Sequence, residues 1–193
     1  MKVLAIIVCV AVTGFASWHP LATARRATAT KESSDSSLTV VNGVQFSHGM
    51  PFTGNVRERF PTGSSKRETE YVNGKRDGTE HGWFENGALR ETRTYQSGRE
   101  QGIHRGWYAN GARRFVYHFV DGRGDGLMEE WYESGLPYTR FEYVLGQEEG
   151  AQRMWTEYGV LRANYVVIGG RRYGLMGTTG CQGTSHSAEE SSQ

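Results

Sequence analysis

The glycines of this chain fall on a 24-residue register. Gly54, Gly78, Gly102, Gly126, Gly150 and Gly174 are evenly spaced, as are Gly63, Gly87, Gly111, Gly135 and Gly159, and Gly74, Gly98, Gly122, Gly146 and Gly170. These columns hold 16 of the 26 glycines, a regularity an unpatterned sequence would not show, so the chain is an array of equivalent supersecondary units. Aromatic residues keep the same period. Trp83, Trp107, Trp131 and Trp155 form one column, Phe60, Phe84, Tyr108 and Tyr132 a second, Tyr71, Tyr95, Phe119 and Tyr143 a third, and Tyr117, Phe141 and Tyr165 a fourth.

Each unit carries two turn signals. One is Glu85-Asn86-Gly87 with its relatives Ala109-Asn110-Gly111 and Glu133-Ser134-Gly135; the other is Asn73-Gly74, Ser97-Gly98 and Asp121-Gly122. Asn-Gly and Asp-Gly tolerate the positive φ that tight hairpins need. Between the turns lie segments of about 6 to 8 residues rich in Trp, Tyr, Phe and Thr, too short and too glycine-punctuated for helices. The expected fold is all-β, an elongated single-sheet antiparallel meander of about five 24-residue β-hairpin repeats over residues 50–176. Loop length decides which aromatics share a face. Two-residue loops place Phe84, Tyr108 and Tyr132 with Tyr95 and Phe119. Three-residue loops with a glycine bulge place Ile103, Trp107, Tyr117 and Phe119 together, with Gly106, Arg114 and His118 opposite, and this arrangement separates apolar from polar residues better.

The ends of the chain read differently. Met1-Lys2 followed by the apolar run from Val3 to Val12 predicts a secretory signal over residues 1–24, cleaved after residue 16 or 24; the run is shorter than the roughly 20 residues of a membrane-spanning helix. Export to the periplasm or the exterior is the expected localisation. Residues 25–49 and 177–193 are expected to be flexible, because Ser, Thr, Gly and charged residues bury too little apolar surface to offset ordering. Cys9 lies inside the signal, leaving Cys181 without a partner in the mature chain.

The pattern Gly102-Ile103-His104-Arg105-Gly106-Trp107-Tyr108-Ala109-Asn110-Gly111, followed by Tyr117-His118-Phe119-Val120-Asp121-Gly122, resembles the MORN-repeat-variant family of bacterial proteins over about residues 50 to 174. That resemblance implies a β-hairpin array used as a scaffold or binding surface, in some members membrane-associated and in others the antitoxin of a toxin–antitoxin pair. An export signal departs from the intracellular antitoxin picture. Arg59, where later units carry Trp, marks the first unit as a terminal cap.

For function, 22 Lys and Arg against 21 Asp and Glu remove the electrostatic argument for nucleic acid. No Gly-x-Ser-x-Gly, paired-carboxylate or His-Glu-x-x-His pattern is present, so no enzyme and no cofactor is expected. Met176, Cys181 and His186 could ligate copper, a minor reading of a tail; Gly122-Arg123-Gly124-Asp125-Gly126 reads as a turn. A single sheet cannot bury both faces, which leaves aromatic surface for a partner. The candidate binding residues are therefore Trp83, Trp107, Trp131, Trp155, Tyr95, Tyr117, Phe119 and Tyr143, engaging a protein or a cell-envelope component. An antitoxin and a small metal-handling protein are the alternatives.

Overall fold

A computed structural model describes residues 29–176. The predicted signal over 1–24 and the tail 177–193, with Cys9, Cys181 and His186, lie outside the described residues. The strands are β1 (Thr30–Glu32), β2 (Leu38–Val41), β3 (Val44–Ser47), β4 (Met50–Pro51), β5 (Gly54–Arg59), β6 (Ser65–Val72), β7 (Lys75–Trp83), β8 (Leu89–Gln96) and β9 (Arg99–Glu100). They continue with β10 (Gly102–Trp107), β11 (Arg113–Val120), β12 (Arg123–Gly124), β13 (Gly126–Trp131), β14 (Pro137–Val144), β15 (Gln147–Trp155), β16 (Leu161–Ile168) and β17 (Arg171–Leu175). From β5 to β17 neighbouring strands pair antiparallel in chain order in one open 14-stranded sheet, which is the expected all-β meander. The short β9 and β12 lead into β10 and β13 and pair with β8 and β11.

Both turn types follow from local chemistry. Asn73-Gly74, Ser97-Gly98 and Asp121-Gly122 are two-residue loops in which both residues have positive φ, +49° and +77° for the first. This mirror-image turn matches the strand twist. The other loop spans three residues. At Tyr108 the carbonyl accepts the Gly111 N–H (2.9 Å) and the N–H donates to the Ala112 carbonyl (2.8 Å), while Asn110 Oδ1 accepts the Ala112 N–H (2.9 Å). Gly111 closes this loop at φ +84° with open space around it, so any cost of a side chain there is conformational. Gly111→Val should lower stability by more than about 1 kcal/mol and Gly111→Asn by less, read from urea midpoints. A valine variant with the parent's midpoint would dispose of the turn assignment.

Successive units are tied along both rims. On one rim the Gly98 N–H donates to the Arg76 carbonyl (2.7 Å), and the Gly122 N–H to that of Glu100 (2.9 Å). Beside these bonds Asp77, Gln101 and Asp125 accept the turn N–H groups of Ser97, Asp121 and Leu145 at 2.9, 2.9 and 3.0 Å. On the other rim the hydroxyls of Tyr108 and Tyr132 donate to the carbonyls of Trp131 and Trp155, at 2.8 and 2.9 Å. The tyrosines after Trp107 and Trp131 are thus clamps onto the next unit.

The three-residue loop occurs as expected, yet the face assignment drawn from it needs correction. Three residues past the loop's glycine each of these hairpins carries a β-bulge: Trp107 pairs with Arg113 but Gly106 with Phe115, leaving Arg114 as the extra residue. The same shift recurs at Arg90, Tyr138 and Arg162. An extra residue inverts the alternation beyond it. Ile103 and Trp107 consequently share their face with His118, whereas Tyr117 and Phe119 lie with His104 and Gly106.

The expectation of flexibility over 25–49 also fails from Thr30 onward. There β1 runs parallel to β5, and β2, β3 and β4 form a separate three-stranded sheet. Its turns, Asn42-Gly43 and His48-Gly49, are the same positive-φ pairs found in the repeats. This small sheet occupies the place of a preceding unit: the Gln45 N–H donates to the Gly74 carbonyl and the Gly74 N–H to that of Phe52, both at 2.7 Å. Ordering is offset by backbone pairing and by burial of Phe52, 5% exposed, rather than by a run of apolar side chains. Arg59 belongs to this end, paired with Glu32 at 3.1 Å.

Candidate binding surfaces

The sheet has an inner face that is buried and an outer face that is not. Tyr95 and Phe115 (both 4% exposed), Val167 (3%) and the fully buried His104 and Gln152 all point inward. Among the described residues no second layer covers them. Arginine side chains form the roof instead: Arg76 stands 4.1 Å from the Tyr95 ring centroid, Arg93 5.8 Å and Arg114 5.0 Å from that of Phe115, and Arg172 5.4 Å from that of Tyr165. A guanidinium on an aliphatic stem can cover a ring and still reach water.

Buried polar residues bond within this layer, although Arg67 Nε, His104 Nδ1 and Gln152 Oε1 are buried without a hydrogen-bond partner among the described residues. Glu91 accepts from Arg90 (2.8 Å) and from two nitrogens of Arg93 (3.1 Å each). Burial alone would raise the Glu91 pKa, but these guanidinium bonds bring it below the ordinary glutamate value. Thr69 donates to Glu80 at 2.9 Å, and Tyr117 donates to Glu130. His104 Nε2 bonds the Thr94 carbonyl (2.9 Å) between the rings of Tyr95 and Phe119, and burial lowers its pKa. Gln152, two periods on, donates to the Glu142 carbonyl (2.8 Å), the equivalent of Thr94.

The eight proposed contact residues therefore separate into two sets. Tyr95, Tyr117, Phe119 and Tyr143 lie inside, where Tyr95 is sealed and Tyr117 stacks on Phe115 with centroids 4.5 Å apart. Trp83, Trp107, Trp131 and Trp155 lie outside and are partly exposed. Each is two strands from the next, so they form a row with steps of roughly 10 Å. Trp83 stacks on His81 (5.8 Å) and Arg113 stands 5.1 Å from the Trp131 ring, while Arg105, Arg140 and Arg153 are exposed on the same face.

Two features escaped the sequence reading. His104 and Gln152 share a column with Glu80 and Met128, and a period-24 scan of polar residues would have singled out that column. A cleft of about 300 Å³ opens on the inner face around Phe115, Arg93, Arg114 and Glu130. It arises because bulge residues are turned inward, which glycine spacing does not reveal. Among the described residues no group of three His, Cys, Asp or Glu could hold a metal ion, and no helix is long and apolar enough to cross a membrane. No protein-family model matches the chain, and no curated protein matches it.

Proposed function

We propose that the protein is an exported, non-enzymatic β-repeat scaffold that binds another protein or an envelope component along the outer face of its sheet. The observation that carries this reading is the row of four partly exposed tryptophans at one register, on the face opposite the packed aromatics. The inner face uses Tyr95 and Phe115 for packing and the rim uses Tyr108 and Tyr132 for clamping, while the Trp row presents a regularly spaced aromatic surface that a partner can reach. Buried Trp anchors are common hot spots, each contributing about 2 kcal/mol or more. Exposed arginines among them suit a partner that carries acidic groups.

The test is capture of partners from envelope extract. Replacing both Trp107 and Trp131 with Ala should abolish capture by a chain whose far-UV circular dichroism is that of the parent. Tyr143→Phe, on the inner face, should leave capture intact. A folded double-Trp variant that captures as the parent does would remove the outer face from consideration.

A further inference from the structure

We propose that the inner-face cleft bounded by β8, β11, β13 and β14 binds a small aromatic carboxylate, with Arg114 as the anion-holding residue. This inference does not rest on the outer-face reading, although Trp131 of the outer row also borders the cleft. Phe115 and Tyr138 supply apolar wall, Tyr108 and Trp131 border the cleft where the Tyr108 hydroxyl meets the Trp131 carbonyl, and the polar groups are Arg93, Arg114, Tyr117 and Glu130. The volume, about 300 Å³, is at the small end for ligand sites and suits one ring with a short acidic arm.

The occupant follows from which polar groups are already engaged. Arg93 is held in two bonds by Glu91, and Glu130 accepts the Tyr117 hydroxyl. Arg114 has no carboxylate within ion-pair distance among the described residues; its guanidinium lies over the Phe115 ring, 5.0 Å from the centroid. With Arg93 neutralised by Glu91 and Glu130 engaged by the Tyr117 hydroxyl, the charge the cleft offers an incoming ligand is the guanidinium of Arg114. A stacked guanidinium keeps its N–H edge available, and that planar fork matches a carboxylate. Tyr117, partly exposed and stacked on the buried Phe115 within 15° of parallel, offers the adjoining surface for a ring.

Isothermal titration of the purified chain with phenylacetate and with its neutral isostere phenylacetamide tests this directly. Phenylacetate should bind saturably and at least about tenfold tighter than the amide, the scale of a charge-assisted bond. Arg114→Gln should bring the acid down to the amide's affinity while leaving the amide unchanged, and Arg171→Gln, exposed on the terminal strand β17, should alter neither. Absence of saturable phenylacetate binding, equal affinity for the two compounds, or persistence of the preference in Arg114→Gln would overturn the assignment. If Arg114→Gln proves unfolded by circular dichroism, Arg114→Lys decides: a reduced preference supports the planar fork, and a preference equal to the parent's overturns it.

Discussion

His104→Ala is expected to lower the stability of the chain by about 2–4 kcal/mol, and His104→Gln by far less. The ring is fully buried between Tyr95 and Phe119, so truncation leaves a cavity in the inner face. The Thr94 carbonyl keeps a second donor, the Gln101 N–H at 2.9 Å, and the loss is therefore mainly one of packing. Glutamine is the informative replacement because Gln152 already fills the equivalent site, fully buried and bonded to the equivalent carbonyl. The two variants should also differ from the parent in pH dependence. Burial lowers the His104 pKa; Thr94, Glu100 and Glu80 oppose that shift, and Arg93 adds to it. The unfolded histidine titrates near about 6.5, so below that pH the unfolded chain binds a proton the folded chain does not. The contribution is complete above the unfolded pKa and is lost as pH falls through the folded one. Urea midpoints of the parent should thus decline more steeply below about pH 6.5 than those of His104→Gln. Identical slopes would mean that His104 stays neutral in neither state preferentially, and a severe loss in His104→Gln would mean that the two sites are not interchangeable.

Much of the architecture was readable because glycine and aromatic columns report directly on turns and strands. The Gly111 loop closes as Ala109-Asn110-Gly111 suggested, and Asp121-Gly122 is the two-residue turn its chemistry requires. Faces were harder. A bulge at Arg114 is one residue in a strand of ordinary composition, and nothing in Arg113-Arg114-Phe115 distinguishes the extra residue from its neighbours. That single residue moves Tyr117 and Phe119 away from Trp107. The N-terminal sheet was missed for another reason: composition over 25–49 outweighed Asn42-Gly43, a hairpin signal of the kind trusted elsewhere in the chain. Of the candidate contacts, the Trp column could be found from its period, but its outward position depends on the bulges. Arg114 and Glu130 came together only through folding, since they lie on strands that pair at Phe115 and Glu130.

Deleting Gly102–Asp125, one whole period, should yield a folded and shorter sheet, whereas deleting Gly111–Gly122 should prevent folding. The strand pairings make the splice specific. β8 meets β10 with Thr92 opposite Arg105 and Glu91 opposite Gly106; β11 meets β13 with Val116 opposite Glu129 and Phe115 opposite Glu130, the same register one period later. Joining Gln101 to Gly126 therefore lets β13 take the place of β10 against β8. Gln101, which accepts the Asp121 N–H, is then placed to accept the Leu145 N–H that Asp125 holds at present. The splice has one predictable flaw: Glu130 replaces Gly106 opposite the buried Glu91, and like charges directly across a ladder cost up to about 1 kcal/mol. A further Glu130→Gly change in the shortened chain should recover that loss. The shortened chain should unfold with a smaller denaturant slope, because less surface is exposed on unfolding. The deletion of Gly111–Gly122 instead removes β11 and reverses the direction of every later strand relative to β10, so neither rim can form its unit-to-unit bonds. A folded product from this second deletion, or an unfolded one from the first even with Glu130→Gly, would show that stability is not carried from unit to neighbouring unit.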